Sequence, residues 1–483
     1  MLCSFLSLMR AEIAMAKRDP LAGKRVVVFG FGRQGQALAR WLPAIGADTV
    51  VTDSRSAKDL GLRRRDYPGA RFYLGGHPDE VLNGARCICV SGGVPLDLPI
   101  LQDARERRIP FTNDAQLFLE RCPAPVIGIT GSAGKTTTTA LVAAIVSKAG
   151  YKVWRGGNIG NPLIEDLPKI KAGDIVVMEL SSFQLELMTA SPQVAAVLNL
   201  TPNHLDRHGD FEHYAAAKAN ILRYQRATDV AVLGWDSPGS RAFERAVAGE
   251  LLVFSQYDMA PDGAFMLGSR LLVAGSASFD MGPHVVCERD EIALRGDHNV
   301  LNVLAACAIT GGMGLAIDRP GVTPEVMRES IRHFQPVAHR LETVREVAGV
   351  TWVNDSIATA PERLLAALSS YEEPLVLLIG GADKDLPWEA AIHFALRKAR
   401  HIIVFGADGG KQVATKVMKL LENMRMRDDQ LSRAQSLDEA VARAAEVARP
   451  GDIVLLSPGG TSYDAYEDFA ARGRHFRQLV SEL

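Results

Sequence analysis

No apolar stretch in this chain reaches the ~20 residues that a bilayer-spanning helix needs. An excess of positive charge that would hold nucleic acid is also missing, since the formal charge is −2. Cysteine is sparse. The six (Cys3, Cys87, Cys89, Cys122, Cys287, Cys307) are scattered. Their one close pair lies inside the apolar run Ala85 to Val90, where alternate side chains share a strand face, so it reads as a core strand with free thiols and not as a metal site. Tandem repeats and low-complexity tracts are lacking too. Met1 to Met9 is mildly apolar, but Arg10, Glu12, Lys17 and Arg18 follow without a small-residue cleavage site, which argues against a secretory signal. Residues 1–20 are expected to be a disordered extension of the kind an early start codon leaves. What remains is the composition of a soluble globular protein, 47% apolar and 23% charged. At 483 residues it is too long for one core and suggests about three domains.

Hydrophobic patterning divides the chain into three α/β blocks. The β-branched run Lys24 to Gly30 passes through Gly30, Gly32 and Gly35 into the helical pattern Gln36 to Leu42, and a second strand, Thr49 to Thr52, ends at Asp53. That is a Rossmann-like βαβ unit with an acid about twenty residues past its glycines. By itself it serves NAD, FAD or a UDP-sugar equally well, because it offers only backbone N–H groups at a helix N-terminus. A proline-marked boundary, Cys122 to Pro125, opens the second block, with strands expected at Val126 to Thr130, Ile175 to Met178, Val194 to Asn199 and Val230 to Leu233. A third block starts after Gln335-Pro336, with strands at Thr351 to Val353, Leu375 to Ile379, Ile402 to Phe405 and Ile453 to Leu456. The expected boundaries are 21–123, 124–336 and 337–483.

The sharpest chemical signal is Gly131, Ser132, Ala133, Gly134, Lys135, Thr136 and Thr137 between a strand and a helix. In this P-loop context the glycines let backbone N–H groups curl around phosphates, Lys135 supplies charge to the β and γ phosphates of ATP, and the Thr136 hydroxyl suits Mg2+. The first glycine of the full pattern is replaced by Ile129. A P-loop alone equally suits a kinase, a transporter ATPase or a GTPase. Further along come Gly157-Asn158-Ile159-Gly160, then Glu179-Leu180-Ser181-Ser182-Phe183-Gln184-Leu185-Glu186, then Asn199 to Gly209 with His204. A carboxylate and an imidazole at strand ends can hold divalent metal beside nucleotide phosphates. Each is also compatible with a purely structural role, such as helix capping by Ser181.

Taken together, these segments resemble the Mur ligase family, and within it the branch that adds glutamate to UDP-N-acetylmuramoyl-L-alanine. The resemblance runs from Lys24 to the C-terminus and includes His298-Asn299 with Asn302, His339-Arg340, Asn354-Asp355-Ser356, Leu456 to Ser462, Phe469 and Arg472-Gly473. It implies a three-domain α/β fold: a Rossmann-like N-terminal domain, a central P-loop domain with a parallel sheet and a C-terminal Rossmann-like domain. It also implies ATP and Mg2+ as cofactors, a cytoplasmic monomer, and no nucleic-acid or membrane partner. A nucleotide-regulated binding protein, or an enzyme using NAD at the first turn, leaves the metal-binding acids and the third domain unexplained.

By the same resemblance, Lys135 and Thr136 hold ATP and Mg2+, Glu179 binds the metal near the γ phosphate, and His204 binds a second metal. Asn158, Ser181, Ser182 and Gln184 place the acceptor carboxylate; Asn302 meets adenine, Arg340 a phosphate and Asp355 the ribose. The turn with Gly30, Gly32, Gly35 and Asp53 receives the uridine diphosphate. Thr359, Lys384, Ser462 and Phe469 receive glutamate, with Lys384 pairing a carboxylate. Lys218, on the alanine-rich stretch Tyr214 to Asn220, occupies the place of the family's carbamylated lysine and would act as an anionic metal-site group. One departure stands out. Where the family's motif reads NDSKAT, this chain has Ile357 in place of the lysine. A related ligase that adds L-glutamate resembles the isoleucine form, so L-glutamate, or a sibling ligase's amino acid, is the alternative to D-glutamate.

Overall fold

The computed structural model describes residues 19–160, 162–276, 281–294, 296–317, 319–334, 338–407, 409–410, 412–422 and 430–483. Nearly all of the expected N-terminal extension, and the expected boundary at Gln335 to Val337, lie outside the described residues. The chain forms two compact units, one running up to Arg289 and including Leu301–Ile331, the other made of Asp290–Val300 with Arg332–Leu483. The first unit carries two sheets and the second unit one.

The first sheet contains β1 (Arg25–Phe29), β2 (Asp48–Asp53), β3 (Ala70–Leu74), β4 (Ala85–Val90) and β5 (Phe111–Thr112), in the order β3-β2-β1-β4-β5. All its pairings are parallel. The two faces of β1 show why the register is fixed. Val26 and Val28 pack with Leu38, Trp41 and Leu42 of the helix Arg33–Ala44, while Val27 and Phe29 pack on the other side with Ile88, Val90 and Leu101. A slip of one residue would exchange the two sets, each side chain being worth about 1.5–3 kcal/mol when buried. From β1 the chain winds outward to β3 and returns to β4 on the opposite side of β1. The glycine turn after β1 therefore opens where the winding reverses, the place at which open α/β sheets bind ligands.

The second sheet comprises β6 (Val126–Thr130), β7 (Val153–Gly157), β8 (Ile175–Glu179), β9 (Val194–Val197), β10 (Val230–Gly234), β11 (Glu250–Ser255), β12 (Gly263–Leu267), β13 (Arg270–Gly275) and β14 (Met281–Glu288). Their order is β14-β13-β12-β11-β10-β9-β6-β8-β7. β6, β8 and β10 are buried along their whole length, as strands covered on both faces must be. The expected parallel core is present. An extension that the patterning did not reveal follows it, since β12, β13 and β14 are antiparallel. β9 stops at Val197, so Leu198 to His204 is loop, and His204 stands well beyond the strand end where an imidazole was expected. The stretch 297–315 is long and apolar enough by composition to span a membrane, contrary to the sequence expectation, but most of it is buried inside the chain as a core helix.

The third sheet has β15 (Glu342–Val347), β16 (Val350–Asn354), β17 (Leu375–Gly380), β18 (Ala399–Phe405), β19 (Leu431–Ala434) and β20 (Ile453–Gly459), ordered β15-β16-β20-β17-β18-β19. Only β15 runs antiparallel to its neighbour. Ile453 and Leu455 of β20 face one core, Val454 and Leu456 the other. Because β16, β20 and β17 are adjacent and parallel, the loops leaving their C-terminal ends share one crevice.

Candidate active site

The P-loop joins β6 to the helix Lys135–Lys148. Gly134 caps that helix at φ +82°, a left-handed conformation that disfavours side chains, and a Cβ there would stand 2.2 Å from Asn302 Oδ1. Asn302 itself accepts from Thr138 Oγ1 at 3.3 Å. The loop tip is held by Asn199, whose Oδ1 accepts from Ala133 N at 2.9 Å and whose Nδ2 donates to Ala133 O at 3.2 Å. Ser132 is committed beneath the loop, donating to Thr201 O at 2.8 Å and lying 2.9 Å from the Tyr214 hydroxyl.

Around this loop gather the charges that the sequence singled out. Lys135 Nζ donates to Gly131 O at 2.8 Å. Glu179, at the end of β8 and 2% exposed, accepts from Thr136 Oγ1 at 2.8 Å on one oxygen and from Asn158 Nδ2 at 2.9 Å on the other. Lys218, on the helix Phe211–Arg223, is 1% exposed and donates to Thr130 Oγ1 at 3.1 Å and Gly131 O at 3.0 Å. Burial first, and repulsion from Lys135 second, push its ammonium well below the ordinary lysine range, against the attraction of Glu179. Lys218 is therefore a core side chain and not a solvated one.

Ser181 and Gln184 form a capping box. Ser181 Oγ accepts from Gln184 N at 3.3 Å, while Gln184 Oε1 accepts from Ser181 N at 3.1 Å. The structural reading of Ser181 as a cap thus holds, and this tight turn presents Ser182 and Phe183 next to the segment bearing His204. The rings of Phe183 and His204 meet edge to face at 5.1 Å. In the first sheet, Gly30 has φ +87°, and a Cβ on Gly35 would fall 1.9 Å from Gly30 O, so glycine is required for the turn to close. Gly32 is the N-cap of the helix that follows. Asp53 accepts from Phe31 N at 2.7 Å and from Arg55 Nη2 at 2.9 Å. Burial would raise its pKa, but the hydrogen bonds from Arg55 and from the Arg55 and Phe31 N–H groups hold it below the ordinary aspartate value.

The second unit places its expected residues on the loops of one sheet. Asp355 follows β16; it is fully buried, accepts from Ser457 Oγ at 2.9 Å and from Leu341 N at 3.2 Å, and burial lifts its pKa to about 7 against the pull of Arg340. Thr359 lies before the helix Pro361–Leu368. Ile357, where the family motif has lysine, is buried. The loops bearing Lys384 and Ser462 are clipped together by reciprocal backbone hydrogen bonds of 2.9 Å between Ala382 and Thr461. Phe469 opens the helix Phe469–Ser481, and its carbonyl accepts from Ser356 Oγ at 2.8 Å. Arg472, 1% exposed, ties these loops together by donating to Ser356 Oγ and O, Gly460 O and Thr461 O at 2.9–3.2 Å.

Three family models match the chain: Mur ligase MurD-like, N-terminal domain, over residues 24–113; Mur ligase middle domain, over 129–310; and Mur ligase, glutamate ligase domain, over 339–460. It is 35% identical over 468 residues to a UDP-N-acetylmuramoylalanine--D-glutamate ligase of Clostridium botulinum, covering 96% of this chain and 98% of that protein. A protein of the same name from Acetivibrio thermocellus is 36% identical over 473 residues, with the same coverage. The chain belongs to the Mur ligase family. Its fold is also that of the UDP-N-acetylmuramate-alanine ligase MurC of Thermotoga maritima (TM-score 0.58, 19% identity, 95% of this chain and 99% of that one). MurF ligase of Thermotoga maritima in complex with ADP shares it as well (TM-score 0.55, 18% identity, 97% of both chains). In this Mur ligase the supports around the site escaped the sequence reading. Asn199, Tyr214, Ser457 and Arg472 all lie within the motif segments, but nothing local marked any of them as a staple or a buried tie.

Proposed function

We propose that this protein joins UDP-N-acetylmuramoyl-L-alanine to D-glutamate by an amide bond, driven by ATP through an acyl phosphate, in the synthesis of peptidoglycan precursors. The observation that carries the reading is the buried Glu179 carboxylate, bound at once to the P-loop Thr136 and to Asn158. This arrangement supports the reading of Glu179 as a metal-binding acid between the nucleotide loop and a turn suited to an acceptor carboxylate. The near full-length similarity to enzymes named for D-glutamate selects the substrates.

A carboxylate is a poor electrophile, so the alanyl carboxylate attacks the γ phosphorus, ADP leaves, and the glutamate amine displaces phosphate from the resulting acyl phosphate. Lys135 and the backbone N–H groups of residues 131–137 bind the triphosphate and neutralise charge on the transferring group. Ser182 and Asn158 orient the acceptor, within the turn that Ser181 and Gln184 shape. The turn at Gly30, Gly32 and Gly35, with Asp53 holding Arg55, receives the uridine diphosphate. Asn302 meets the adenine; Asp355 and Arg340 serve the nucleotide ribose and phosphate. Thr359, Lys384, Ser462 and Phe469 take glutamate.

No three His, Cys, Asp or Glu side chains cluster as a metal cage among the described residues. Mg2+ takes most of its ligands from phosphates and water, and the Thr136 hydroxyl beside the Glu179 carboxylate offers the hard oxygen donors it prefers. Thr136 and Glu179 would hold one ion, and His204 with carbamylated Lys218 a second; bound there, Mg2+ supplies positive charge to the phosphoryl oxygens. The neutral Lys218 amine reacts with carbon dioxide, forming the N–C bond and releasing a proton, to give the anionic carbamate.

We place domain boundaries at 123/124 and 336/337, and the enzyme in the cytoplasm, where ATP and UDP-sugars are made. We also propose that it acts as a monomer. Phosphate release from ATP, measured with UDP-N-acetylmuramoyl-L-alanine and each amino acid in turn, tests the reading. D-Glutamate is expected to support turnover and L-glutamate not; a preference for L-glutamate would make Ile357 the mark of the other specificity, and release with a different amino acid would point to a sibling reaction.

A further inference from the structure

His208 has no part in the reading above, yet it stands where the acceptor turn, the P-loop support and the His204 segment meet. It ends the short helix Leu205–His208 with its side chain 2% exposed. Its Nε2 lies 3.0 Å from Ser182 Oγ. Its ring stacks on Phe183, with centroids 5.2 Å apart and planes within 5° of parallel. Its edge meets Tyr214 at 5.5 Å, and the Tyr214 hydroxyl touches Ser132 beneath the P-loop. Phe183 is also flanked by the Arg207 guanidinium, 5.0 Å above the ring, and by His204 at 5.1 Å. Arg207 in turn donates to the carbonyls of Gly93 and Val94, in the loop after β4, at 3.3 and 3.1 Å.

A buried ring that only filled space here would be served better by phenylalanine, because burying imidazole nitrogen costs free energy unless it is hydrogen-bonded. The nitrogen is instead directed at the hydroxyl of Ser182. We infer that His208 is a positioning residue: it fixes the Ser182 hydroxyl and, through its stack on Phe183, the placement of His204. The inference rests on the ligase reading, which gives Ser182 and His204 their partners. A serine hydroxyl has one proton, two lone pairs and a free rotor. Held by a rigid imidazole, it keeps its remaining hydrogen-bonding valence in one direction. Loss of such alignment by about 1 Å costs on the order of a hundredfold in rate.

The test uses the full chain with UDP-N-acetylmuramoyl-L-alanine, ATP and D-glutamate, comparing H208F, H208Q, S182A and the double variant S182A/H208F. H208F keeps the stack on Phe183 and removes the nitrogen. It is expected to lower kcat by about tenfold or more with the KM for ATP unchanged, and H208Q to recover part of the loss. The double variant should be no slower than the slower single variant, because both act through one bond. Should H208F not fold, H208A with S182A supplies the same cycle. Full-rate turnover by H208F, or losses that multiply in the double variant, overturns the role of His208 while leaving the ligase reading intact. A wild-type chain inactive with all three substrates overturns that reading itself and the inference with it.

Discussion

The turn Gly30 to Gly35 and the loop Gly131 to Thr136 are built alike. Each follows a parallel strand flanked on both sides, each relies on glycine where a Cβ would strike backbone or a neighbouring amide, and each feeds a helix. Their charged neighbours differ. Asp53 occupies the first, accepting the Phe31 N–H and holding Arg55. Lys135 and Lys218 both donate to the carbonyl of Gly131 in the second, with Glu179 across the loop on Thr136. The same local design is thus fitted to different anions by side chains that come from elsewhere in the fold. A loop with one lysine cation and a buried acid on its threonine suits a triphosphate with its metal; a turn that lends a single arginine suits a smaller diphosphate.

The largest expected effect lies on the cationic side. Lys135→Ala removes the charge facing the transferring phosphoryl group and is expected to cost at least about a hundredfold in kcat with the circular dichroism spectrum unchanged. A folded variant near wild-type turnover would break the assignment of this loop to ATP. Lys218→Ala comes next: most activity should disappear and part should return with acetate or propionate, whose carboxylate replaces the carbamate. Rescue by methylamine in place of acetate would show that an amine is the active form.

Asp53→Asn sharpens the contrast from the other side. It weakens the hold on Arg55, so the KM for UDP-N-acetylmuramoyl-L-alanine should rise about tenfold, the loss expected for a charge-assisted hydrogen bond, with the KM for ATP unchanged. Equal changes in both constants would mean that the two turns do not serve separate ligands. The smallest effect concerns Asp114, buried beside Gln184 at the start of the helix Asp114–Arg121, where burial raises its pKa to about 6. The folded protein binds this proton more tightly than the unfolded chain does. The stability it gives is complete below the ordinary value of 3.8 and lost as pH rises to about 6. Asp114→Asn should flatten the dependence of Tm on pH across that window by a few degrees; an unchanged slope would show that another group titrates there.

Much of the architecture was readable from local pattern. β6 and β8 were found because continuous apolar runs bounded by glycine leave few alternatives, and the P-loop because strand, glycines, lysine and hydroxyl coincide. The antiparallel strands β12 to β14 escaped because their alternation is short and interrupted. His204 was expected at a strand end, but β9 stops at Val197 and a loop carries the imidazole onward.

By itself the sequence determined most of the segments that become strands, where the chain must turn with glycine, and which side chains are of the type suited to phosphate, metal and carboxylate chemistry, because these follow from periodicity, backbone sterics and side-chain type. Only the tertiary structure decided what holds those side chains in place. Thr136 meets Glu179 because β8 lies beside β6; Lys218 reaches Gly131 from a helix far along the chain; His208 meets Ser182 across a loop; Arg472 binds turns at the ends of neighbouring strands. Such contacts depend on strand order and on the packing of distant segments, and no local window of residues contains either.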